Sequence, residues 1–274
     1  MDLGPAILFC PADRPERYAK AAAAADAVIL DLEDAVAPAD KPAAREHLRR
    51  AAADPARTIV RVNPAGTADH DADLAALADT PFRTVMLAKT EDPARCDALH
   101  AAGIRVVALC ETAAGVEHAG AIARHPAVVA LMWGAEDLVA SLSGTSSRFP
   151  DGRYRDVARY ARSRVLIAAG AAGKVAWDAV HLDIDALDGL RAEAEDAAAS
   201  GFAASVCIHP RQVAVIRDAY APTEAQLAEA EALLAAAEHE PGVFRFDGRM
   251  VDEPVLRQAR RTLAHKARQR KAQA

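Results

Sequence analysis

Aromatic residues are scarce in this chain: Phe, Trp and Tyr together make up 4% of its 274 residues. A core with so few rings must be built from aliphatic side chains. These are plentiful, since 52% of the residues are hydrophobic and much of that share is alanine. Alanine favours helix and close packing but carries no chemistry of its own. Long apolar runs are missing as well. No stretch approaches the ~20 residues that a membrane-spanning helix needs, and no basic segment followed by an apolar one opens the chain, so neither a membrane partner nor a secretory leader is expected. Cysteine is limited to Cys10, Cys96, Cys110 and Cys207, with no C-x-x-C pair. Cys10, Cys110 and Cys207 sit in apolar runs and read as buried free thiols, which suits a reducing cytoplasm. Basic blocks are absent from the main body, and the net charge is −6, which argues against a nucleic-acid partner. The basic tail at Arg257, Arg260, Arg261, Lys266, Arg268, Arg270 and Lys271 reads as a solvated helix end favoured by the helix dipole.

A chain of this length holds one large domain or two small ones. Short runs rich in Val, Ile and Leu alternate with Ala-rich amphipathic segments. The runs predict strands over 6–11, 28–34, 58–63, 84–89, 105–111, 128–134, 174–180 and 205–209. Their nearly continuous apolar character is that of strands buried on both faces. Helices are predicted over 15–25, 40–53, 69–78, 93–102, 115–124, 154–169, 187–199 and 210–219. Eight such units in sequence predict an α/β fold, a (β/α)8 TIM barrel with an outer ring of helices. A doubly wound open sheet is the main alternative, but no G-x-G-x-x-G follows the first strand. The seventh strand is ambiguous, because Gly170 to Trp177 also reads as a continued helix.

The pattern changes after residue 221, so the barrel is assigned to 1–221 and a C-terminal extension to 222–274. Thr223 is the expected N-cap of a helix running to about His239. A turn at Pro241–Gly242, a hairpin around Asp247–Gly248 and a last helix near Pro254 follow. The extension adds nothing that a barrel requires and reads as a lid or a subunit contact.

Active sites of such barrels gather at the C-terminal ends of the strands. Those ends carry Asp13 and Arg14, then Asp31, Glu33 and Asp34, then Arg61 and Asn63, Lys89, Glu111, Glu136 and Asp137, and His209. Charged groups inside apolar strands are costly unless paired or bound to metal. Glu111 and Asp137 end neighbouring strands, which lie about 4.8 Å apart, so they suit one shared Mg²⁺; the competing reading is that each caps the following helix. Arg61 suits a substrate carboxylate or an enolate oxygen, or else a salt bridge to Glu33 or Asp34. Asp31, Glu33 and Asp34 read either as outer partners of metal-bound water or as counter-ions for Arg61 and Lys89. Arg14, Arg17 and Lys20 at the first helix suit a phosphate or form a solvated face. His209, His181 and Asp183 are left without a role. The loop from Ser141 to Gly152 follows the sixth strand directly and is rich in small polar residues whose amides suit a ligand.

Several of these motifs together resemble the citrate lyase β-subunit-like (CitE-like) family of the HpcH/HpaI aldolase superfamily. They are Leu30-Asp-Leu-Glu-Asp-Ala-Val36, Arg61-Val-Asn63, Cys110-Glu-Thr-Ala-Ala-Gly115, Trp133-Gly-Ala-Glu-Asp-Leu138 and Cys207-Ile-His-Pro-Arg-Gln-Val213. The resemblance implies a TIM barrel, a homotrimer or hexamer, and a Mg²⁺-dependent carbon–carbon lyase acting on CoA thioesters of the citramalyl-CoA or malyl-CoA type. Acetyl-CoA and a 2-oxo acid, pyruvate or glyoxylate, would be the products. It implies that Glu111 and Asp137 are the metal ligands, that Arg61 binds substrate, and that Asp252 serves catalysis from the C-terminal lid. It also implies that Arg14 and Lys20 lie where CoA phosphates bind. Two other functions stay open at this point: an aldolase on free hydroxy-oxo acids without CoA, and a β-subunit that works only with partner chains.

Overall fold

In the computed structural model, residues 3–240 and 242–273 are described, with side-chain surroundings given up to residue 264. Pro241 of the expected turn and the side chains of Lys266, Arg268, Arg270 and Lys271 lie outside that range. The chain divides into two compact units, one reaching to Arg217 and one starting at Asp218.

The first unit is a closed, all-parallel barrel of eight strands in sequence order. They are β1 (Ala6–Pro11), β2 (Ala27–Asp31), β3 (Thr58–Val62), β4 (Thr84–Leu87), β5 (Arg105–Cys110), β6 (Val128–Trp133), β7 (Val175–Asp178) and β8 (Ala204–Cys207). Helices α1 (Tyr18–Ala24), α2 (Lys41–Arg49), α3 (Ala68–Ala78), α4 (Asp97–Ala101), α5 (Ala113–Arg124), α6 (Ala135–Ser141), α7 (Asp156–Ala171), α8 (Leu187–Ser200) and α9 (Pro210–Tyr220) complete the chain to its second unit. The ambiguous seventh run is a strand after all: β7 pairs with β6 and β8 and so closes the barrel.

Alternate strand residues fill the interior. Ile7, Ala27, Ile29, Ile59, Met86, Val107, Leu109, Ala130, Met132, Trp177, Ala204 and Val206 form one buried cluster. The period of two then carries Phe9, Asp31, Arg61 and Glu111 to the next layer on the same side of their strands. All four cysteines are buried free thiols, Cys96 included. Below the end of β3, a buried network ties the strand to α2 and α3. Asn63 donates to Asp73 Oδ2 at 2.7 Å and accepts from Lys41, while Arg45 Nε donates to Asp73 Oδ1 at 2.8 Å.

Several boundaries differ from the sequence reading for local reasons. β2 stops at Asp31, because the Asp31 carboxylate captures the N–H groups of Glu33 and Ala35 and turns the chain; Glu33 and Asp34 therefore lie in a turn. β6 stops at Trp133 and α6 begins at Ala135, so Asp137 stands on the first turn of a helix and not at a strand end. The same helix separates β6 from the small polar loop that was expected to follow it directly. Proline-led 3₁₀ turns at Pro15–Arg17, Pro38–Asp40 and Pro93–Cys96 shorten the first, second and fourth predicted helices.

In the second unit, α10 (Glu224–Ala237) starts with a capping box in which Thr223 and Gln226 satisfy each other's backbone N–H. Strands β9 (Phe244–Phe246) and β10 (Arg249–Val251) form an antiparallel hairpin. Asp247 and Gly248, with φ of 47° and 78°, supply the left-handed pair that a two-residue turn demands. Helix α11 (Glu253–Gln273) follows, and Ala230, Leu233, Val251, Leu256 and Ala259 form the small core of this unit. No helix of the described residues is long and apolar enough to cross a membrane.

Candidate active site at the barrel mouth

Strand register builds the first half of the site. Asp31 on β2 lies opposite Arg61 on β3. Arg61 Nε and Nη2 donate to Asp31 Oδ1 and Oδ2 at 2.7 and 2.6 Å, a two-pronged charged pair. Its Nη1 lies 2.9 Å from Glu33 Oε2, and its guanidinium carbon stands 4.7 Å from the centre of the Phe9 ring. Two of the five guanidinium N–H groups are thereby hydrogen-bonded to Asp31, and the Glu33 contact is a charge pairing without a hydrogen bond. Asp31 and Glu33 are 1% and 3% exposed. Asp31 thus orients Arg61 and, through the Glu33 N–H at 2.9 Å, the turn that carries Glu33.

Lys89 builds the second half. It follows β4 with φ of 48°, a left-handed backbone that costs a residue with a Cβ roughly 1–2 kcal/mol. In that conformation its N–H donates to Glu111 Oε1 at 3.1 Å. Its ammonium donates to Glu33 and reaches Asp34 Oδ2 at 3.2 Å and Asp137 Oδ1 at 3.3 Å. Glu111, one residue beyond β5, is packed beside Gly134, where a Cβ would come within 2.8 Å of Glu111 Oε2. The β5–β6 register that pairs Cys110 with Trp133 brings these two positions side by side. The Trp133 indole is held in turn, donating to Asp178 Oδ1 at 2.6 Å. A cavity of about 260 Å³ opens beside Lys89, lined also by Pro64, Ala65, Thr90 and Arg95.

The charges act on one another. Burial, with Asp137 and Glu33 adding to it, pushes the Glu111 carboxyl up to about 8 against the pull of Lys89 and Arg61. Burial also pushes Glu33 up, although Arg61 and Lys89 oppose it. Burial pushes Asp34 the same way, but Lys89 outweighs it and the net direction is down. Burial tends to lower both Arg61 and Lys89, yet Asp31 and Glu33 respectively reverse this and hold both cations firmly charged. Five carboxylates (Asp31, Glu33, Asp34, Glu111 and Asp137) thus face two cations. Among the described residues, no group of three or more His, Cys, Asp or Glu side chains surrounds a common point. A metal needing a full set of protein ligands is not served here. An oxygen-seeking ion that takes one or two carboxylates and leaves its other positions to water and ligand is; the raised Glu111 marks where added positive charge would be accepted.

The structure therefore brings Glu33, Asp34, Arg61, Glu111 and Asp137 together. Arg14 and Lys20 do not join them: both are exposed, and Arg14 pairs with its neighbour Asp13 at 3.5 Å. Asp252 belongs to the second unit, where it caps α11 by accepting from the Val255 N–H at 3.4 Å. Sequence reasoning gave Lys89 no more than a counter-ion's part and missed its place at the centre of the cluster. A lysine directly after the run 84–88, with Glu111 closing the next apolar run, was the available signal. Gly134 was missed too, and a close approach of this kind leaves no mark in one sequence.

A closed parallel barrel with a charged layer at the C-terminal ends of its strands defines a barrel of the kind that carries out chemistry at that mouth. The chain belongs to the HpcH/HpaI aldolase/citrate lyase family, whose profile matches residues 6–210. A citrate lyase subunit beta-like protein of Mycobacterium tuberculosis is 58% identical over 256 residues, covering 93% of each chain. The crystal structure of CitE from Mycobacterium tuberculosis in complex with magnesium, acetoacetate and coenzyme A superposes with a TM-score of 0.94 at 57% identity, covering 96% of this chain and 98% of that one. The mitochondrial citramalyl-CoA lyase of Homo sapiens is 30% identical over 94% of this chain and 84% of its own length.

Proposed function

We propose that the protein is a Mg²⁺-dependent carbon–carbon lyase that cleaves a 3-hydroxyacyl-CoA of the citramalyl-CoA or malyl-CoA type, reversibly, to acetyl-CoA and a 2-oxo acid. The observation that carries this reading is the excess of buried carboxylate at the mouth, with Glu111 raised to about 8 beside Asp137. The kinship to a citramalyl-CoA lyase and to a protein crystallised with magnesium and coenzyme A supports it.

Glu111 and Asp137 would hold the Mg²⁺, with water and substrate as the remaining ligands. When bound, the ion supplies Lewis acidity toward the substrate hydroxyl and the carbonyl it becomes. Cleavage removes the hydroxyl proton, moves the electron pair of the carbon–carbon bond into the thioester enolate, and returns a proton to that carbon. Arg61, with N–H groups not used by Asp31, would stabilise the enolate oxygen. Asp31 and Glu33 hold its guanidinium in place, so little reorganisation is needed during reaction. Glu33 and Asp34 act as outer partners that keep Lys89 and Arg61 charged. Asp252 would exchange the proton at the acetyl carbon, and Arg14 and Lys20 would contact the CoA phosphates. The reading includes a catalytic domain over 1–221, a lid and subunit contact over 222–274, and a homotrimer or hexamer.

Incubation of the purified protein with citramalyl-, malyl- and 3-hydroxy-3-methylglutaryl-CoA plus Mg²⁺, followed by product identification, tests the reaction. Release of acetyl-CoA and a 2-oxo acid from one of the first two is expected. Undiminished cleavage by both Glu111→Ala and Asp137→Ala without added metal would sink the metal assignment.

A further inference from the structure

Lys89 does more at the mouth than the proposed reaction asks of it. A left-handed backbone is strained for lysine and free of strain for glycine, so the side chain here must supply something that glycine lacks. What it supplies is one ammonium shared by Glu33, Asp34 and Asp137. Asp137 is also one of the two carboxylates that the proposed Mg²⁺ needs, and a cation 3.3 Å from Asp137 Oδ1 opposes a second cation on the same group.

We infer that Lys89 is a built-in competitor for the metal: its ammonium neutralises Asp137 when Mg²⁺ is away, and withdraws to Glu33 and Asp34 when Mg²⁺ arrives. The inference rests on the reading of Glu111 and Asp137 as ligands. Its geometry is already in place. Two of the three partners remain after the exchange, so the ammonium is never left unpaired. The bond to Glu111 Oε1 comes from the Lys89 backbone N–H and not from the ammonium, so movement of the side chain does not require it to break. Metal affinity is thereby set lower than the carboxylates alone would give. The metal-free mouth is also spared part of the repulsion between Glu111 and Asp137.

Calorimetric titration of Mg²⁺ into the metal-free protein tests this. Removing one positive charge from within about 5 Å of a divalent ion should tighten binding ~10-fold or more even at the dielectric constant of water. Lys89→Met should therefore bind more tightly than the native protein, and Lys89→Arg, which keeps the charge, should stay near it. Lys89→Gly, which suits the left-handed backbone, repeats the test should the methionine variant not fold. Equal or weaker binding by Lys89→Met, or by Lys89→Gly in its place, overturns the inference, provided that Asp137→Asn and Glu111→Gln lose binding. Native affinity in those two variants would instead overturn the ligand reading, and the competitor role with it.

Discussion

Replacing Glu111 by Gln should make the metal-free protein more stable at alkaline pH. The carboxyl is 3% exposed and is raised from its ordinary 4.5 to about 8, first by burial and then by Asp137 and Glu33. Between these values the unfolded chain has lost a proton that the folded chain keeps. Stability therefore falls as pH rises through this window and levels off above about 8. At about 1.4 kcal/mol per pH unit, the whole rise corresponds to about 5 kcal/mol of destabilisation once Glu111 is ionised. Glutamine keeps the shape and the acceptor for the Lys89 N–H but has no charge to desolvate. Urea unfolding in a chelating buffer at about pH 5, 7 and 9 reads the effect. The native protein should lose stability steeply over that range, and Glu111→Gln should lose less and be the more stable of the two at the alkaline end. Saturating Mg²⁺ should flatten the native profile, since a ligand that binds only the folded state adds stability by mass action. A Glu111→Gln variant less stable than the native protein at about pH 9 without metal, or one with the same slope, would refute the electrostatic argument.

Asp31→Ala should cost about 3–5 kcal/mol in the same unfolding assay, because it strips the two-pronged partner from a guanidinium whose side chain is only 11% exposed. A loss below about 1 kcal/mol would mean that Arg61 finds another partner. Gly134→Ala should fold normally, since its φ of −134° suits any residue. The added Cβ, 2.8 Å from Glu111 Oε2, should displace the carboxylate and weaken Mg²⁺ binding roughly 10-fold in calorimetry. Thr223→Ala should lower protection of the first turn of α10 by about 1 kcal/mol in hydrogen exchange, through loss of the capping box.

How much of this was legible beforehand depends on which force governs each feature. The barrel was legible because burial on both faces imposes continuous apolar runs, and eight of them alternate with helices. Glu111 and Arg61 were legible as members of the mouth because a charge closing or interrupting such a run has few other places to go. Element ends were less so. Asp34 reads as strand and Asp137 as a strand end, since nothing in the runs shows that the Asp31 carboxylate would capture two backbone N–H groups or that α6 would start two residues after β6. The role of Lys89 depends on one backbone dihedral, and a lysine in the left-handed region has no compositional signature. The turn at Asp247–Gly248 was readable for the opposite reason: there the residue types themselves announce positive φ.

The period of two that packs the barrel also delivers its charges. On β2 the inward series runs Ala27, Ile29, Asp31, and on β5 it runs Val107, Leu109, Glu111; on β3 it passes from Ile59 to Arg61. Core and site are thus successive layers of one arrangement, and the charged layer rests on an apolar floor that screens it poorly. That floor explains why Glu111 is raised so far. Asp31 accepts two backbone N–H groups and a guanidinium fork. The two acids occupy equivalent steps of their strands and differ in what satisfies them. Asp31 has been given protein partners and serves to hold Arg61. Glu111 has one backbone N–H, an ammonium that belongs chiefly to others, and a carboxylate neighbour. An acid left so short of positive charge, at the place where a parallel barrel does its chemistry, is the group that the proposed Mg²⁺ would satisfy.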